Sequence, residues 1–374
     1  MRSRRPRTDA QPTVAAPTES RPLTRTALIA GATGATAKRL VEVLLADSDW
    51  TAIGLCRNPP PAAPTDRLTF ARADLLDAND AARALHDCTG VTHVFYTARA
   101  THGEGGIESI MENTAMLRNL LDALLPVAPD VQHVHLVEGA KYYGLHLGPY
   151  PTPAREDDRR PEAPNFYYDQ EDMLRARQRG QRWTWSAARP NVICDFAPER
   201  ARNLVPLLGA YAAVMAELSL PLHFPGRPGC WDALTEVTDA THFARAMVFM
   251  ATDPRAANQA FNVSNGDLFR WKRLWRRLAD HFGMAMGEIR PCTLTELMAD
   301  KDPVWQSVVR RHGLAASRLD EIAVWGFGDF LFSQDYDVVS STTRLRQAGF
   351  HEMVDTETMF LGHLARYRKA RLLP

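Results

Sequence analysis

The stretch Thr26-Ala-Leu-Ile-Ala-Gly31-Ala-Thr33-Gly34-Ala35-Thr-Ala37-Lys38-Arg-Leu-Val-Glu-Val-Leu-Leu-Ala46 decides the fold. A short apolar run ends in two glycines and passes into a segment that keeps Leu40, Val41, Leu44 and Leu45 on one helical face. Gly31 permits a tight turn. Gly34 lets backbone approach a pyrophosphate, whose charge a helix N-terminus stabilises. Ala37 is small where helix must pack on strand. A G-x-x-G-x-x-A string alone is weak. Opening the first βα unit of the chain, it reads as a dinucleotide-binding turn.

Further strands are predicted at Thr51–Leu55, Leu68–Asp74, Val91–Tyr96, Val131–Val137 and Trp183–Arg189, with helical patterns near 78–87, 107–125 and 166–180. Strands alternating with helices imply parallel pairing through right-handed crossovers, hence an α/β Rossmann-type doubly wound sheet. Beyond Pro190 the pattern changes to an apolar helix from Asn203 to Leu220, another at 239–251, a short strand Ala260–Val263 and a mostly helical remainder with Trp271, Trp275, Trp305 and Trp325. The expected organisation is an arm without apolar periodicity at 1–24, a nucleotide-binding core at 25–190, and a smaller, mostly helical substrate-side cap at 191–374 interleaved with the core.

Composition narrows the function classes. The 374 residues carry 44 basic and 44 acidic side chains, so no global field attracts nucleic acid or an anionic membrane. Only five of the basic residues are lysine, a skew that points to a GC-rich, bacterial genome. The five cysteines are widely spaced without a CxxC, so neither a disulfide framework nor a zinc site is expected, and reduced thiols in a cytoplasm are. No apolar run reaches membrane-spanning length and no apolar stretch follows the basic Met1–Arg7.

The end of the second strand selects the cofactor. An acid there would accept from the ribose hydroxyl of NAD; this chain has Leu55-Cys-Arg57-Asn, and Arg57 suits the 2′-phosphate of NADPH. Asp74 and Leu75 suit the adenine. Thr33 and Ala35 in the turn, Tyr96 and Thr97 after the fourth strand, and Pro190 and Val192 after the sixth complete the expected cofactor contacts. None of the nine tyrosines has a lysine four residues on, so the ordinary Tyr-x-x-x-Lys site is absent. Either there is no hydride chemistry, or the lysine comes from elsewhere. Lys141, just past the fifth strand, is the candidate; beside Tyr167 it would lower the phenol pKa.

Asn165-Phe-Tyr-Tyr-Asp-Gln-Glu-Asp172, the Gly-x-Lys-x-Tyr loop at 139–143, Val94-Phe-Tyr96, Pro225-Gly-x-x-Gly-x-Trp-Asp232, Ala260-Phe-Asn-Val-Ser-Asn-Gly-Asp267 and Trp325-x-Phe-Gly-Asp329 together resemble the progesterone 5β-reductase/iridoid synthase family of atypical short-chain reductases. The resemblance runs from about 26 to 374. It implies NADPH-dependent reduction of the activated C=C bond of a small enone or enal, with Tyr167 and Lys141 as the functional pair and Tyr168 as a packing residue. Homodimerisation is left open. There are departures. Where the family has Val-Thr-Trp-Ala, this chain has Thr97-Ala-Arg99-Ala, which suits a polar or anionic substrate or a reshaped pocket mouth. Glu138 replaces a threonine and is expected to pair with Lys141. Asp195 replaces a glycine near the nicotinamide.

Other constellations give weaker readings. His133 and His135 share a strand face without a third ligand, so packing is expected and no metal. No Gly-x-Ser-x-Gly elbow occurs. The tryptophans read as core and pocket wall. Two rivals remain: a carbonyl reductase or epimerase/dehydratase on the same scaffold, and a non-catalytic NADP-binding sensor.

Overall fold

A computed structural model describes residues 25–61, 65–100 and 108–374; the arm expected at 1–24 lies outside them. Seven strands form the central sheet: β1 (Arg25–Ala30), β2 (Trp50–Cys56), β3 (Leu68–Arg72), β4 (His93–Tyr96), β5 (His133–Val137), β6 (Thr184–Pro190) and β7 (Gln259–Val263). Their order is β7-β6-β5-β4-β1-β2-β3 and every pairing is parallel. The predicted doubly wound sheet is therefore present. Strand order reverses between β1 and β4, which pair through Ala27↔His93 to Ala30↔Tyr96. The two crossover connections leave this point in opposite directions, and a crevice opens beyond the strand ends.

Helices α1 (Ala35–Ala46), α2 (Ala78–Leu85), α3 (Ile110–Leu124), α4 (Phe166–Gln178), α5 (Leu204–Glu217) and α6 (Ala240–Thr252) follow the predicted periodicities to within a few residues. Their starts obey capping chemistry: Asp77, Ser109, Asn165, Asn203 and Asp239 each accept a backbone N–H of the first turn. α1 and α6 cover one face of the sheet, burying Ala27, Ile29, Phe95, Phe243 and Met247. α2, α3 and α4 cover the other, burying Leu28, Val94, Leu117, Leu136 and Leu174. Helix α6 and strand β7 lie after residue 190, yet both belong to the sheet layers.

A third core lies off the sheet. Twelve of the fourteen residues of α5 are buried, which its nearly continuous apolar sequence requires. Trp271, Trp275 and Trp305 pack around it, with Trp325 partly buried against it. The tryptophans are thus core; none of the four lines either cavity described below. No helix among the described residues is long and apolar enough to cross a membrane.

Candidate functional site

The crevice at the switch point holds a cavity of about 580 Å³, lined among others by Gly31, Thr33, Gly34, Arg57, Asp74, Leu75 and Thr97. Gly31 has φ +81°, and a Cβ there would stand 2.8 Å from Ala98 Cα, so both conformation and space demand glycine. Gly34 caps α1 without a side-chain hydrogen bond, and no acid occupies the first turn. The first N–H groups of a twelve-residue helix thus face the cavity without a protein anion. Thr97 fixes the β1/β4 junction, its Oγ1 donating to the Ala30 carbonyl at 2.7 Å. Asp74 Oδ1 accepts from Leu76 N–H at 3.0 Å. Arg57 is exposed at the rim, with no carboxylate at 56–58.

Tyr96 departs from expectation. Its ring is buried in the α2–α4 core and lines neither cavity. Strand alternation explains this: Phe95 faces the α1 side, so Tyr96 must face away.

A second cavity of about 340 Å³ continues from the first, sharing Arg99 and Arg200 with it and reaching Ala35, Lys141, Tyr167, Pro190 and Val192. Asn165 organises this end: its Oδ1 accepts from Tyr167 N–H at 3.1 Å while its Nδ2 donates to the Lys141 carbonyl at 2.9 Å. One side chain thereby sets both members of the predicted pair. Gly139 completes the fit, since a Cβ there would lie 3.3 Å from the Tyr167 hydroxyl. Burial pushes the Tyr167 phenol up to about 12, partly opposed by the Arg99 guanidinium that hydrogen-bonds it. The phenol is therefore neutral and able to donate at any ordinary pH.

The lowered phenol pKa expected from Lys141 is thus not what the geometry gives. Lys141 Nζ is held by Glu108 Oε2 at 3.0 Å, and Glu108 Oε1 meets Arg99 at 2.8 Å. Burial outweighs the cation, and the cation acting on Tyr167 is Arg99. Tyr168 is a packing residue: its hydroxyl donates to the Tyr142 carbonyl at 2.6 Å.

Glu138 does not pair with Lys141 as expected. Val137 pairs with Ala188 across β5–β6, which sets Glu138 beside Arg189. Arg189 is buried and donates to Glu138 (2.7 Å), Glu171 (2.8 Å), the Tyr143 hydroxyl (3.1 Å) and the Glu156 carbonyl (3.0 Å). Its guanidinium lies 3.3 Å from the Tyr142 ring centroid. Burial pushes the Glu138 carboxyl up to about 8 in spite of Arg189, which it shares with Glu171. This cluster backs the loop that carries Lys141. Asp195 is likewise explained: both its oxygens accept from Arg39 Nε at 2.9 Å, tying α1 to the segment after β6. In that segment Val192 has φ +24°, sparsely populated for a β-branched residue.

Several residues in or beside the cavities escaped the sequence reading. Glu108 bridges Arg99 and Lys141. Arg200 donates to the Thr33 carbonyl at 2.5 Å, bringing a cation over the glycine turn. Arg202 stacks on Phe327, 4.7 Å from its ring centroid. The only sequence signal of the two arginines is a charge-rich run, Glu199-Arg-Ala-Arg202, before an apolar helix.

Apart from Phe327, the residues of the other family strings described next are scaffold. Asn262 accepts from the Tyr143 hydroxyl at 2.6 Å and donates to the Ala154 carbonyl at 3.0 Å; Asp267 receives Thr356. Asp329 caps the helix beginning at Leu294. His133 and His135 share the Ser186 hydroxyl at 2.7 and 2.8 Å. No metal-holding group of three or more His, Cys, Asp or Glu occurs among the described residues.

The geometry meets its relatives here. Residues 64–374 match the model of the PRISE-like Rossmann-fold domain, and the chain belongs to that family. It is 35% identical over 365 residues to the (S)-8-oxocitronellyl enol synthase ISY1 of Nepeta racemosa, covering 93% of each chain. It is equally 35% identical over 365 residues to the 3-oxo-Delta(4,5)-steroid 5-beta-reductase of Arabidopsis thaliana, again covering 93% of each. Among solved structures, a putative epimerase from Burkholderia cenocepacia superposes with TM-score 0.65 at 19% identity, covering 93% of this chain and 99% of that one. The Bordetella bronchiseptica enzyme WbmG, in complex with NAD and UDP, superposes with TM-score 0.62 at 18% identity, over 93% and 96%. These two share the fold.

Proposed function

We propose that this protein is an NADPH-dependent oxidoreductase that reduces the activated C=C bond of an enone or enal. The observation that carries the reading is the neutral, buried Tyr167 phenol at the wall of a cavity continuous with the glycine-turn crevice. Relatives named as an enol synthase and a steroid 5-beta-reductase support it. The crevice fits a dinucleotide: Gly31 leaves a cradle that a Cβ would fill, and the uncapped N-terminus of α1 offers N–H groups to a pyrophosphate. Thr33, Gly34 and Ala35 would hold the pyrophosphate, Arg57 a 2′-phosphate, Asp74 and Leu75 the adenine, and Thr97, Pro190 and Val192 the nicotinamide end. Bound there, the reduced nicotinamide supplies a hydride to the β-carbon.

The residues of the chain do the rest. As the β-carbon gains hydride, the C=C electron pair moves toward the carbonyl and negative charge gathers on its oxygen. Tyr167 donates a hydrogen bond to that oxygen where the charge appears. Asn165 anchors its backbone N–H, and Gly139 leaves room for its hydroxyl. Lys141, steadied by Glu108, is positioned to bind the ribose hydroxyls. A proton from solvent then returns the enolate to the saturated carbonyl compound.

The test is NADPH oxidation over enals, cyclic enones and quinones with product identification. A saturated aldehyde or ketone is expected. An allylic alcohol would mean carbonyl reduction, and tight NADPH binding without turnover across the panel would mean a sensor.

A further inference from the structure

The wall of the second cavity carries a further cation, Arg202. Arg202 lies just before α5, exposed, with its guanidinium over Phe327. Among the described residues it has no ion-pair or hydrogen-bond partner, and the carboxylates of the wall and the nearby Glu108 are engaged elsewhere. Glu138 is held by Arg189, Asp195 by both contacts from Arg39, and Glu108 offers one oxygen to Arg99 and the other to Lys141. Leu145, Phe327 and Phe330 supply apolar surface in the cavity that this cation and Tyr167 both line. An arginine stacked on an aromatic face keeps its fork oriented toward an incoming carboxylate. Partial burial and repulsion from Arg99 act against its charge and outweigh the attraction of Glu108, so an anion there relieves a standing cost.

We propose that the substrate is an anionic enone or enal, an apolar chain ending in a carboxylate that Arg202 binds while the conjugated carbonyl meets Tyr167. This rests on the enone-reductase reading and adds the substrate class. Arg202 is a specificity residue and takes no part in the hydride step.

Matched probes test it: ω-carboxy-2-alkenals of graded chain length and their methyl esters, assayed for NADPH oxidation at low ionic strength. The free acid is expected to exceed its ester in kcat/KM for at least one chain length. The Arg202→Gln substitution should shrink that acid-to-ester ratio by about 10- to 100-fold, the scale of a lost hydrogen bond to a charged group, and Arg202→Lys should restore part of it. Rising salt should erode the preference of the wild type. Esters reduced as well as or better than the acids, or a ratio unmoved by Arg202→Gln, would overturn the proposal and leave the enone-reductase reading intact. No turnover of either series, nor of neutral cyclic enones, would remove that reading and the proposal with it.

Discussion

The two ends of the groove are built in opposite ways. The glycine turn at the Gly31 end is local: one strand, one turn and one helix, contiguous from Arg25 to Ala46, form it, and the ends of the next strands complete the cavity lining. The Tyr167 end is assembled from distant pieces, with residues 99, 139–141, 167, 190–193, 195, 200, 202, 327 and 330 converging on one cavity and Glu108 tying Arg99 to Lys141. A local device tolerates distant change and fails on a change within its own turn. An assembled device depends on what lies behind it, here the Arg189 cluster. The contrast is measurable.

The largest effect is expected from Arg189→Met. It strands the Glu138 carboxylate and leaves Glu171 only its contacts with Arg160 and Arg175, in a site where the Arg189 side chain is 1% exposed, and breaking such a buried network costs about 3–5 kcal/mol. Urea denaturation should show that loss, and enone turnover should fall with it. NADPH affinity measured on the folded fraction should change far less. If affinity falls as much as turnover, the two ends are not separable.

Gly31→Ala is the mirror experiment. Positive φ and a 2.8 Å approach to the Ala98 backbone together predict roughly 2–5 kcal/mol of destabilisation, with cofactor binding lost first. Calorimetric titration with NADPH checks it; unaltered binding would mean that the turn does not cradle the dinucleotide.

Arg57→Ala should have the smallest effect, confined to one cofactor. Losing a charge-assisted phosphate contact weakens NADPH by about tenfold or more, with NADH nearly unchanged. Equal affinity of the wild type for both cofactors would contradict the assignment.

The difference in construction also explains what the sequence disclosed. The sheet and helices were legible because each strand is a short apolar run and each helix start carries its cap, as with Asp77 and Asn203. The glycine turn was legible because Gly31 is required by geometry within the turn itself. Tyr167 and Lys141 became visible through family strings, and the Asn165 bridge between them is the physical content of those strings. Glu108 and Arg202 were not legible, since isolated charges in loops acquire roles only when remote segments meet. Tyr96 was misassigned although strand alternation from Phe95 carried the answer. Glu138 was paired by sequence distance with Lys141, whereas ladder register placed it against Arg189.

The central claim is that Tyr167 stabilises charge developing on a carbonyl oxygen. It is tested most directly by kcat for a verified enone substrate in Tyr167→Phe, with Tyr168→Phe as control. Removing one donor aimed at developing charge should lower kcat by about 10²–10³ with KM little changed. Tyr168→Phe should be mild, because that hydroxyl is spent on the Tyr142 carbonyl. The wild-type rate should show no loss from tyrosine ionisation below about pH 10, since burial holds the Tyr167 phenol up near 12. Wild-type turnover in Tyr167→Phe would contradict the account.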